Sequence, residues 1–184
     1  QSFLISQGVR TSDLLSRLSK LDSDEKFNLI SETTRIRANC VNPVDTVDNT
    51  TGIAIGYVQS GKTLSFTTLT TLAIDNGFRI VVYFAGIKVN LLEQTTKRLK
   101  KDLLTEGENS RFYKVYQSPS IAENTHIKIQ SALKLNQRPT ILITVLKHYK
   151  HIDELNKIFK TPQVKDELGN NGVLIIDDEA DQAS

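Results

Sequence analysis

Gly56-Tyr57-Val58-Gln59-Ser60-Gly61-Lys62-Thr63 is the stretch that most narrows what this chain folds into. It fits G-x-x-x-x-G-K-[ST], the pattern of a P-loop wrapped around a phosphate between a strand and a helix. Gly56 lets the chain leave a strand sharply, and Gly61 lets the backbone approach a phosphate with no Cβ in the way. The N–H groups of Ser60, Gly61, Lys62 and Thr63 then form an anion nest at the positive end of the next helix. Lys62 reaches the β- and γ-phosphates, and the Thr63 hydroxyl is a ligand for Mg²⁺. Tyr57 and Gln59 either shape the loop or flank the nucleotide. The flanks agree with this reading. Gly52-Ile53-Ala54-Ile55 is an apolar strand run, and residues 64–75 have helical character.

From residue 52 onward, strand and helix patterns alternate. Ile80-Val81-Val82-Tyr83-Phe84 and Ile141-Leu142-Ile143 are continuous apolar runs, as strands buried on both faces require. They predict strands over 79–84 and 140–145, with further strands at 112–116 and 173–177. Helices are expected over 62–75, ending at the C-cap pair Asn76-Gly77, over 89–105 and over 147–160. Residues 121–135 are expected to be partly helical, and 161–172 read as a polar loop. Such repeats give an α/β fold with a mostly parallel sheet covered on both faces, so ligands sit beyond the carboxyl ends of the strands. Before this, residues 2–37 read as a helical N-terminal segment. Ser12-Asp13 is the expected cap for a helix carrying Leu14, Leu15, Leu18 and Leu21. Ser23-Asp24 is the expected cap for one carrying Phe27, Leu29 and Ile30. A polar linker over 41–51 follows. The expected organisation is therefore a helical segment and linker over 1–50 and an α/β lobe over 51–184.

Length and composition set bounds. A chain of 184 residues builds one α/β domain with a real core. Its net charge of +2 permits nucleic acid without demanding it. The single cysteine, Cys40, allows no internal disulfide and suits a reducing, cytoplasmic setting. No apolar run reaches membrane-spanning length, and no secretory signal opens the chain. The absence of any methionine predicts an excised piece of a longer protein.

The second informative stretch is Asp177-Asp178-Glu179-Ala180-Asp181-Gln182-Ala183-Ser184, behind the apolar run Val173-Leu174-Ile175-Ile176. A P-loop enzyme that hydrolyses nucleoside triphosphates needs two carboxylates at a strand end. One holds Mg²⁺ and the other polarises the attacking water. Asp178 is assigned to the metal and Glu179 to the water, with Asp177 the alternative metal residue if the register shifts by one. The two motifs converge on one bound MgATP.

Gly61-Lys62-Thr63 followed far downstream by Asp178-Glu179-Ala180-Asp181 resembles motifs I and II of superfamily 2 helicases and translocases. The longer strings Gly-Tyr-Val-Gln-Ser-Gly-Lys-Thr and Ile-Ile-Asp-Asp-Glu-Ala-Asp-Gln-Ala-Ser more closely resemble the Z1 domain. That domain occurs in bacterial proteins described as endonucleases, alongside DNA-modification and restriction components. The resemblance spans about residues 50–184 and implies a RecA-like, three-layer α/β/α P-loop NTPase lobe, cut off after its second motif. It implies DNA as the partner, with RNA as the alternative, and a second lobe and further domains beyond this chain. It also implies nucleic-acid backbone contacts from Gly86, Lys88, Thr144 and Lys147. These lie at expected strand-to-helix turns, where helix N-termini suit phosphates.

Other features are weaker. Lys97, Arg98, Lys100 and Lys101 read as a solvated basic helix face. His148 and His151 lack the companions of a metal site. A GTPase is disfavoured, because Asn156-Lys157-Ile158-Phe159 lacks the Asp that reads guanine and Asp166-Glu167-Leu168-Gly169 matches only formally. A nucleotide-binding regulatory or scaffold module without motor activity stays open as the alternative. An arginine finger would lie outside this chain, so the fragment alone is expected to bind MgATP and hydrolyse it poorly. No nuclease constellation is present.

Overall fold

The computed structural model describes residues 4–43, 62–169 and 171–178. It divides into two compact units, Gln1–Phe78 and Arg79–Ser184. The expected strand at 52–55 and most of the linker before it lie outside the described residues.

The first unit contains three helices, α1 (Val9–Arg17), α2 (Ser23–Ala38) and α3 (Lys62–Asp75), with α1 and α2 both packed on α3. α2 starts one residue earlier than the cap expected at Ser23-Asp24. The N-cap is Asp22, which accepts from the Glu25 N–H at 2.8 Å, while the Glu25 carboxylate accepts from the Asp22 N–H at 2.9 Å. This reciprocal box satisfies two helix-end donors at once, which Ser23 cannot match. α1 departs further from expectation, since Ser12 and Asp13 lie inside it. Its N-cap is Gly8, which has no capping side chain. The carboxylate of Asp75 substitutes, accepting from the N–H groups of Gly8, Arg10 and Thr11 at 2.9, 3.1 and 2.9 Å. A negative charge there suits the positive end of α1. Asn76 clamps the chain just before α1, bonding both the N–H and the carbonyl of Ser6. Gly77 then ends the turn at φ 97°, a left-handed conformation that favours glycine.

The second unit is built on four parallel strands in the order β2-β3-β1-β4. They are β1 (Phe78–Phe84), β2 (Tyr113–Gln117), β3 (Thr140–Val145) and β4 (Gly172–Asp177). β1 and β3 pair in the register Ile80 to Ile141 through Phe84 to Val145. Both are central, so both bury nearly every residue. The helices are α4 (Val89–Leu103), α5 (Thr125–Lys134), α6 (Tyr149–Lys160) and α7 (Pro162–Leu168). One sheet face, carrying Ile80, Val82, Ile141, Ile143 and Val145, forms a core with Ile129 of α5, Leu155 and Ile158 of α6, and Val164 of α7. The other face receives α4. α7 corrects the loop expected over 161–172. Pro162 stands at the first helical position, where its missing N–H costs nothing, and Val164 is buried. α4 ends at Leu103 rather than 105, because Leu104 turns left-handed at φ 54°. α6 begins at Tyr149, behind its cap His148. Among the described residues no helix is long and apolar enough to cross a membrane.

Candidate functional site

In the first unit, Lys62 and Thr63 are the first two residues of α3, so the phosphate-loop motif runs directly into a helix N-terminus. Gly56, Gln59, Ser60 and Gly61 lie outside the described residues, and so does Glu179.

The second unit gathers its singled-out residues at the carboxyl edge of the sheet. Gly86 and Lys88 follow β1, Thr144 and Lys147 lie at and just beyond the end of β3, and Asp177 and Asp178 close β4. The three strand exits are stitched together. The Ala85 N–H donates to the Val145 carbonyl at 3.0 Å, the Lys147 N–H to Gly86 at 2.7 Å, and the Asp178 N–H to Phe84 at 3.3 Å. The chain leaves β1 for α4 on one face and β3 for α6 on the other. Their boundary is thus a switch point, where open α/β sheets place ligands.

Each residue's role there follows from what it touches. Gly86 sits at φ 77°, which favours glycine, and this turn brings its carbonyl to Lys147. Lys88 is the exposed N-cap of α4 and makes no side-chain cap, so that first turn lacks one. Thr144 is fully buried, and its hydroxyl lies 2.7 Å from that of Thr96. Thr96 already donates to the Leu92 carbonyl at 2.8 Å, so its one proton is spent and Thr144 is the donor. The Thr144 carbonyl accepts from Ser118 at 2.8 Å. Thr144 therefore braces α4 on β3, and its hydroxyl is committed there. Lys147 is 14 % exposed and its Nζ lies 2.7 Å from the carboxylate of Asp177. Asp177 and Asp178 are both half-buried.

Two neighbours escape the sequence patterns. Thr96 is one, since only the fold pairs it with Thr144. Tyr149 is the other. It is 70 % exposed, its ring centroid lies 4.6 Å from that of His148, and the Lys150 ammonium is 5.9 Å from its ring. An aromatic directly after a basic strand exit was the available signal. His148 has a structural explanation, since its Nδ1 accepts the Lys150 N–H at 3.3 Å and caps α6. Among the described residues no group of His, Cys, Asp and Glu is arranged to hold a metal on its own. On α4, Lys100 pairs with Glu106 at 2.6 Å and Arg98 with Asp102 at 3.9 Å, which fits a solvated basic face.

No family model, curated protein or solved structure matches the chain.

Proposed function

We propose that this chain is the ATP-binding lobe of a helicase-like, nucleic-acid-dependent ATPase, RecA-like in architecture and related to the Z1 domain. The observation that supports this most is a pair of motifs set in a suitable fold. A phosphate-loop sequence runs into α3 at Lys62, and a second, acidic motif follows a strand of an all-parallel sheet. In this reading the N–H groups of 60–63 and the Lys62 ammonium hold the triphosphate. The Thr63 hydroxyl and the Asp178 carboxylate are hard oxygen donors and fit Mg²⁺. Mg²⁺ bound there would neutralise charge between the β- and γ-phosphates. Asp178 is assigned this role, and Asp177, the alternative if the register shifts by one, lies 2.7 Å from the Lys147 ammonium. Glu179 orients a water for in-line attack on the γ-phosphate.

DNA is the proposed partner, in restriction or defence against foreign DNA. Gly86 and Lys88, just before α4, contact backbone phosphates, while Lys147, paired with Asp177, supports that turn through its N–H bond to the Gly86 carbonyl. Tyr149 offers an exposed ring on which a base stacks. Thr144 contributes by holding α4 in place. The test is ATP turnover by the longest form of the protein that contains this chain, with and without single- and double-stranded DNA. DNA-stimulated turnover, abolished by Glu179→Gln, is expected. Turnover indifferent to nucleic acid would remove the motor reading and favour a regulatory or scaffold module.

A further inference from the structure

The amino-terminal edge of the sheet, at the other end of the strands from Lys147 and Asp178, holds a second cluster. Arg79 lies at the start of β1, Arg138 just before β3, Glu167 near the end of α7 and Asn171 just before β4. With Leu133 they line a cavity of about 150 Å³ whose exposed walls are almost wholly polar. Arg79 is anchored by an Nη that donates to the Pro139 carbonyl at 3.0 Å. Its Nε is buried and has no hydrogen-bond partner among the described residues. Arg138 is exposed and held at φ 45°, a backbone conformation that costs an arginine on the order of 1 kcal/mol. Burial, and then the charge of Arg138, pull the Arg79 pKa below its ordinary value. The carboxylate on the wall, Glu167, lies 3.5 Å from the Lys134 ammonium, so its charge is partly offset.

Arg79 and Arg138 both line this cavity, and their like charges repel. A water molecule would leave that repulsion in place. A small oxyanion offsets it, because the planar guanidinium fork matches two oxygens of such an ion. Size narrows the choice. Sites for drug-sized ligands run to roughly 300–1,000 Å³, so this cavity is too small to enclose a nucleotide. We infer that it binds a small, multiply charged oxyanion, of which inorganic phosphate is the simplest, held between Arg79 and Arg138. The inference does not depend on the ATPase reading.

The test uses the protein carrying Lys62→Ala, which removes the phosphate contact assigned to the loop. It is titrated with inorganic phosphate, and separately with chloride at matched ionic strength, while the Arg79 Nε–H resonance is followed by NMR. A saturable shift with phosphate alone is expected. Arg138→Gln should weaken the affinity about tenfold or more, the loss expected for one charge-assisted contact. Arg138→Lys keeps the charge, loses the fork, and should fall between the two. The inference is overturned if phosphate moves the resonance no more than chloride does. It is also overturned if Arg138→Gln binds phosphate as tightly as its parent.

Discussion

Lys147 and Asp177 form a 2.7 Å ion pair that spans β1, joining the exit of β3 to the end of β4. The lysine is 14 % exposed and the aspartate 30 %, so each would leave a poorly solvated charge if the other were removed. Asp177→Asn or Lys147→Met should each lower unfolding stability by about 1–3 kcal/mol, less than for a fully buried pair. The double variant should lose less than the sum of the two. Urea denaturation of all four proteins measures this directly.

Gly8 and Asp75 make a comparable prediction in the first unit. A Cβ on Gly8 would lie 2.6 Å from the Asp75 side-chain carbon Cγ, closer than real contacts allow. Gly8→Ala should therefore push the carboxylate off the start of α1 and cost about 1–3 kcal/mol. Asp75→Ala strands three N–H donors and should cost about as much. In a chain of this size each kilocalorie appears as roughly a 2–4 °C fall in melting temperature.

The Thr96–Thr144 pair should behave asymmetrically. Thr144→Val removes the donor, while Thr96 keeps its bond to Leu92, so the cost is about 1 kcal/mol. Thr96→Val leaves the buried Thr144 hydroxyl without its acceptor and should cost about 1–3 kcal/mol. Replacing both removes both polar groups, and the double variant should be more stable than Thr96→Val alone. Thermal unfolding of the three variants decides it.

Glu154 gives a pH signature. Its carboxyl pKa sits below the ordinary value, first because Lys157 donates to it at 2.9 Å and then because the Ile121 N–H does at 3.2 Å. A depressed carboxyl pKa contributes stability that is fully present above the unfolded value of about 4.3. It is lost as pH falls through the lower, folded value. Glu154→Gln should therefore flatten the acid limb of the stability–pH curve in that window and leave its neutral region nearly parallel. An unchanged acid limb would mean that the exposed contact contributes nothing.

Much of this architecture is legible in the sequence, for identifiable reasons. β1 and β3 are central strands, so their apolar runs are unbroken, and α3 ends at Asn76-Gly77 as its sequence predicts. The misses have local causes too. The polar run over 161–172 that reads as a loop holds α7, whose first residue is Pro162. The cap of α1 comes from Asp75, 67 residues from Gly8, and no short-range pattern reports it. The pairings of Thr96 with Thr144, Lys147 with Asp177 and Arg79 with Arg138 exist only once the strand order brings distant segments together. The motifs at 56–63 and 177–179 are local sequence patterns, and the expectations placed on them, a nest of backbone N–H groups and adjacent carboxylates, need no long-range pairing. The Thr96–Thr144 brace, by contrast, is a product of the fold.

MgATP binding to this chain, measured by calorimetry beside Lys62→Ala and Asp178→Asn, tests the central claim most directly. The account predicts saturable binding by the parent protein. It also predicts a loss of about tenfold or more in Lys62→Ala, and in Asp178→Asn a loss seen only when Mg²⁺ is present. Equal affinity in the parent and Lys62→Ala, or no binding by the parent, would contradict it.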